Sequence, residues 1–104
     1  MSIMRRSISL FDDDHAYEHE WVDAVMSGNK LCVEGVTSEK GEGGTYGIGN
    51  RLDEENTIRL EKLLGTDEDG LLDELARRFC GSDADREFCS FCRMNGIQYG
   101  SYVI

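Results

Sequence analysis

The chain contains no proline, although average usage of about 5% would give about five in a sequence of this length. Turns must therefore be formed by the twelve glycines together with Asp, Asn and Ser. Long apolar runs are also missing, since no stretch approaches the roughly 20 apolar residues that a membrane span requires. Arg5 and Arg6 are followed by Asp12, Asp13 and Asp14 rather than by the apolar segment of a signal peptide. We therefore expect a cytoplasmic protein.

Positive charge is scarce as well. Eleven Lys and Arg residues stand against twenty-one Asp and Glu residues, which gives a formal net charge of -10. Such a surface repels the phosphates of nucleic acids and anionic lipid headgroups. We expect no direct binding to nucleic acid or membrane, and a partner with a basic protein surface. The alternative is that the charge serves solubility alone.

The C-terminal half predicts three consecutive helices. Asp53 can cap the first helix, and Gly65 can end it in a left-handed conformation. Thr66 is the candidate cap of the second helix, whose apolar stripe runs as far as Phe79 and Cys80. Glycine ends the second and third helices as well, so the predicted ranges are 53–65, 66–81 and 82–96.

The N-terminal half predicts strands, because apolar and polar residues alternate around Ile8 and Leu10 and the segments 31–36 and 46–52 are rich in β-formers. Tyr17–Met26 fits a strand, since the turn residues 27–29 connect it to the next apolar run. A helix is the alternative, because Tyr17, Trp21 and Val25 are four residues apart. The segment 38–44 is predicted to be a flexible loop, and 97–104 a final strand.

Together these elements predict one α+β domain over residues 1–104. An antiparallel sheet, consisting of a meander of about four strands and a C-terminal strand, packs against a run of three helices.

Cys89 and Cys92 form a C-x-x-C pair, with Cys80 nearby. A zinc site commonly uses two such pairs on turns, and a redox pair sits at a helix N-terminus, whereas this pair lies within a predicted helix. We interpret these cysteines as small hydrophobic core residues and keep a metal or thiol role as the alternative.

His15 and His19 are four residues apart in an acidic segment. On a helix both imidazoles would share one face and could bind a transition metal. On the favoured strand, a solvated acidic segment is the better interpretation.

Catalytic motifs are missing. There is no Gly-x-Ser-x-Gly, the glycine-rich stretch 41–49 has no Gly-Lys-Ser/Thr, and the acids around Gly70 do not fit a calcium loop. We therefore expect neither an enzyme nor a cofactor.

A resemblance covers about three-quarters of the chain. The segments 55–65, 71–79 and 86–99, with the strand at 31–35, resemble a group of small acidic bacterial proteins of unknown function. The resemblance implies the fold and a bacterial or phage origin, and it transfers no catalytic residue.

The leading hypothesis is an acidic protein-binding domain of the inhibitor, immunity or anti-defence type, with Asp12, Asp13 and Asp14 contacting a basic partner. The alternative is a structural or accessory domain that self-associates, for instance as a homodimer, through an edge strand or exposed aromatics such as Trp21, Tyr46 or Tyr102.

Overall fold

The computed structural model describes residues 5–41 and 43–104, so Glu42 of the predicted loop and residues 1–4 of the N-terminal segment lie outside the described residues. Five strands and three helices confirm the predicted α+β fold. Their bounds are β1 Arg5–Asp14, β2 Glu18–Ser27, β3 Lys30–Glu39, β4 Thr45–Arg51, α1 Glu54–Leu64, α2 Leu71–Arg78, α3 Ala84–Met94 and β5 Gly100–Val103.

The strands form one sheet in the order β1-β2-β3-β4-β5, with every neighbouring pair antiparallel. The strand interpretation of Tyr17–Met26 is thereby confirmed and the helix alternative is wrong. Every second residue, Val22, Ala24 and Met26, belongs to the core, which is the period of a strand. Gly28 has a positive φ of 63° in the turn from β2 to β3.

β3 is longer than predicted, because the segment expected to be a loop contributes its first two residues to the strand. The Glu39 N–H donates a 2.9 Å hydrogen bond to the Gly44 carbonyl. The Lys40 N–H donates another of 2.9 Å to the Tyr17 carbonyl. The sheet therefore extends to Glu39.

β1 contains a bulge at Leu10. Ser9 pairs with Asp23 and Phe11 pairs with Val22, so Leu10 is the extra residue. Leu10 is buried in the core and Phe11 packs against it. After the bulge, side chains again alternate between the two faces of the sheet. The Asp13 side chain therefore lies on the helix-covered face, and the Asp residues on either side of it lie on the open face.

α1 is capped as predicted. The Asp53 side chain accepts a 2.8 Å hydrogen bond from the Asn56 N–H, and Gly65 ends the helix with φ 70°. The predicted start of α2 at Thr66 is wrong, because the Thr66 N–H donates to the Glu61 carbonyl and belongs to the end of α1. Residues 66–70 form a turn, in which Asp67 Oδ1 accepts from the Gly70 N–H.

The last strand is also shorter than predicted. The Ile97 N–H donates to the Cys92 carbonyl at the end of α3, and the Ile97 side chain is buried in the core. The Gln98 N–H donates to Asn56 Oδ1 on α1. These bonds hold the chain against the helices until β5 begins at Gly100.

The helices cover one face of the sheet and contact mainly β1, β2 and β3. Leu60, Leu75 and Phe88 contribute one fully buried side chain from each helix. Tyr46 and Ile48 on β4 and Val103 on β5 remain exposed. None of the helices in the described ranges is long and apolar enough to cross a membrane.

Candidate functional site

Acidic side chains gather at one end of the sheet, where β1 and β3 end and β2 begins. The register places Asp13 opposite Glu20 and Glu18 opposite Glu39. Because antiparallel partners share a face, all of these carboxylates lie on the side of the sheet that faces the helices. We call the whole group the acidic end: Asp12, Asp13, Asp14, Glu18, Glu20 and Glu39.

The three aspartates predicted as partner contacts are all exposed, but strand alternation separates them. On the open face, Asp12 Oδ1 lies 2.8 Å from His19 Nε2, and Asp14 Oδ1 lies 2.7 Å from Lys40 Nζ. The hydrogen bond and charge of Lys40 lower the pKa of the Asp14 carboxyl. Asp13 is on the other face, with Oδ2 3.8 Å from His15 Nε2.

Carboxylates lie close to one another on the helix-facing side of the acidic end. A side-chain hydrogen bond with Glu20 raises the pKa of Glu18, and burial and the charge of Glu20 raise it further. Burial and then the charge of Glu39 raise the pKa of Tyr46, whose hydroxyl donates a 3.4 Å hydrogen bond to Glu39 Oε1. The described structure therefore concentrates negative charge here, which favours a cationic ligand.

Sequence reasoning missed the contribution of Glu39, because it placed this residue in a loop. The β-forming run of β3 continues through Val36 and Thr37, and that continuation was the signal that would have extended the strand. Glu18 and Glu20 belong to the acidic segment around His15 and His19, but the sequence does not distinguish them as part of a site.

The two histidines are brought near carboxylates but not to a shared metal site. His19 lies on β2 and its ring is 4.7 Å from that of the half-buried Trp21. His15 lies in the turn before β2, with Nε2 3.8 Å from Glu18 Oε1. Across residues 5–41 and 43–104, no group of three or more His, Cys, Asp or Glu side chains is placed to hold a metal ion.

The cysteines of the C-x-x-C pair are core residues, as predicted. Cys89 and Cys92 are buried on α3, and burial raises the pKa of both thiols, that of Cys92 to about 12. The prediction for Cys80 is wrong: it is exposed, because α2 ends at Arg78 and the extended backbone at Phe79 directs only the phenylalanine into the core.

A further polar cluster, which the sequence did not indicate, lies on the open face. The Tyr102 hydroxyl donates a 2.9 Å hydrogen bond to Glu34 Oε1 and lies 3.2 Å from Cys32 Sγ. The Arg51 guanidinium carbon is 4.7 Å from the centroid of the Tyr102 ring. Burial raises the pKa of the Cys32 thiol, so it remains protonated near neutral pH and is a poor nucleophile.

Two clefts lie at opposite ends of the sheet. One, of about 500 Å³, is lined by Lys30, Arg51 and Tyr102 beside the start of α1. The other, of about 330 Å³, adjoins the acidic end and lies between the sheet and the start of α3. Its lining includes Glu20 and Asp85, so it is the cleft that the acidic end extends into.

No protein-family model, curated protein or solved structure matches this chain.

Proposed function

We propose that this chain is a non-enzymatic protein-binding domain whose acidic end engages a basic surface of a partner, in the manner of inhibitor, immunity or anti-defence proteins. The observation that supports this most strongly is the convergence of carboxylates from three strands at one end of the sheet. Within it, Lys40 pairs with Asp14, whereas Glu18 and Glu20 repel one another.

Several cationic side chains outside the acidic end form ion pairs with neighbouring acids. Arg77 and Arg78 both pair with Glu74 on α2, and Arg86 pairs with Asp83 beside α3. The acidic end therefore keeps a local excess of negative charge. Such an excess steers a basic partner towards this end and speeds association, and salt screens it.

The test is a pull-down with the native protein from lysate of its host, identified by mass spectrometry at low salt and at about 1 M salt, where the Debye length is about 3 Å. We expect a basic protein to be retained at low salt and lost at high salt. Retention of an acidic or neutral partner at both salt concentrations would overturn the proposal.

Self-association is a second candidate, and the edge strand β5 supports it. β5 contains only Gly, Ser, Tyr and Val, and its exposed Val103 lies opposite the exposed Ile48 of β4. The other edge, β1, is interrupted by the bulge at Leu10 and ends in aspartates, both of which discourage strand pairing.

Sedimentation velocity tests this second candidate. If β5 pairs with a second copy, the wild-type protein is dimeric at high salt and V103K is monomeric, whereas S9K on the protected edge leaves the dimer intact. If the protein is monomeric at all concentrations and salt conditions, self-association through β5 is excluded.

A further inference from the structure

We infer that the groove between the acidic end and the start of α3 is the place where the partner inserts an arginine side chain. This inference rests on the proposed function and adds to it the subsite and the chemistry of the group that is bound.

The groove exists because the helices leave the acidic end of the sheet uncovered. α3 begins only at Ala84, and the space of about 330 Å³ between its first turn and the sheet stays open. Apolar side chains of three strands, Phe11, Val22 and Ile48, form much of its lining. Such a surface suits the aliphatic part of a long side chain.

Carboxylates face this apolar lining from two sides. Glu20 belongs to the sheet, and Asp85 belongs to the first turn of α3. No ion pair or hydrogen bond joins the Asp85 side chain to another group in the described part of the chain. Its carboxylate lies over Gly35, where a Cβ atom would collide with it, so the glycine makes room for the acid.

The remaining charges favour a cationic guest. Arg86 is the basic residue of the groove lining, and its guanidinium pairs with Asp83. Glu18, whose pKa is raised by its hydrogen bond with Glu20 and by burial, adds negative charge beside the groove. A cation bound here would relieve this repulsion.

Arginine fits this arrangement better than lysine. Its planar guanidinium presents five N–H donors that can serve carboxylates on two walls, whereas the lysine ammonium is a compact and strongly hydrated point charge. The weaker hydration of guanidinium also lowers the cost of entering a partly apolar groove.

The experiment is an NMR titration of the ¹⁵N-labelled protein with hexa-arginine at low salt, with hexalysine as the comparison. We expect the largest amide shifts at Glu20, Gly35 and Asp85, and tighter binding of hexa-arginine than of hexalysine. E20Q/D85N should weaken hexa-arginine binding about tenfold. The control E54Q/D73N, which removes the same charge from exposed helix positions, should weaken it less than twofold.

Two results would overturn the inference. If the shifts centre on Asp12–Asp14 and both double variants lose affinity equally, the groove is not the subsite, although the proposed function stands. If hexa-arginine does not bind at low salt, the proposed function falls as well. Urea unfolding of each variant shows whether a change in affinity reflects loss of folded protein.

Discussion

The hydroxyl of Tyr102 on β5 lies 2.9 Å from Glu34 Oε1 on β3, with β4 between the two strands. The tyrosine ring can cross β4 because Gly49 has no side chain there. The edge strand β5 is therefore held to the sheet by a side-chain hydrogen bond as well as by its pairing with β4. Because β5 has only four residues, this bond should matter for its stability.

We predict that Y102F lowers the free energy of unfolding by about 1–2 kcal/mol, since a hydrogen bond to a charged acceptor is lost. Y46F is the matched control, because the Tyr46 hydroxyl makes a longer bond at an exposed position. Urea unfolding of the two variants gives the comparison. Equal losses would show that the contact between Tyr102 and Glu34 contributes nothing specific.

We predict that G49A lowers the free energy of unfolding by about 1–3 kcal/mol, because a Cβ atom at this position would meet the Tyr102 ring. The control is G44A, where nothing lies within 4 Å of the added atom. This control should be neutral or slightly stabilising. The prediction is wrong if G49A unfolds at the same urea concentration as the wild-type protein.

The carboxyls of Glu18 and Glu74 should affect stability in opposite directions at pH 7. The pKa of Glu18 is raised mainly by its hydrogen bond with Glu20, so the folded state gains stability as the pH falls through that pKa. The hydrogen bond from Arg78 lowers the pKa of Glu74 in the folded state. Glu74 therefore stabilises the fold at pH values above the ordinary pKa of a glutamate, and this stabilisation is lost as the pH falls through the folded-state pKa.

E18Q should therefore unfold at a higher urea concentration than the wild-type protein at pH 7, and E74Q at a lower one. Both differences should shrink towards pH 3, where the wild-type carboxyls are protonated and resemble the amides. Unfolding curves at several pH values check this. A stabilising effect of E18Q that persists unchanged in acid would exclude charge repulsion as its cause.

The thiols should react at very different rates. Cys80 is exposed, whereas burial raises the pKa of Cys32, Cys89 and Cys92. We predict that one thiol per chain reacts rapidly with Ellman's reagent in the folded protein and that C80S abolishes this fast phase. Rapid reaction of a second thiol in C80S would show that α3 or the cluster around Tyr102 opens easily.

The order of strands and helices could be predicted because local signals mark it. Asp53 and Gly65 bound α1 through a cap and a left-handed residue, and these signals lie within the sequence of the helix itself. The start of α2 could not be predicted in this way. Thr66 is a good capping residue, but the end of the preceding helix uses its N–H.

The acidic end could be predicted only in part. The Asp12–Asp14 run is visible in the sequence, and alternation along a strand divides it between two faces, but the bulge at Leu10 decides which face Asp13 occupies. Glu18 and Glu39 lie at the open end of the hairpin formed by β2 and β3, so their approach depends on how far the two strands continue to pair beyond the turn. The groove beside Asp85 depends on where α3 crosses Gly35, which is a tertiary contact.

The pull-down from host lysate, repeated with two charge-matched variants as bait, tests the central claim most directly. D12N/D13N/D14N changes the acidic end, and E54Q/E55Q/D73N changes exposed positions on the helices. We predict that the first variant loses the basic partner at low salt and that the second retains it. Equal retention by both variants would contradict the proposal that the acidic end is the binding surface.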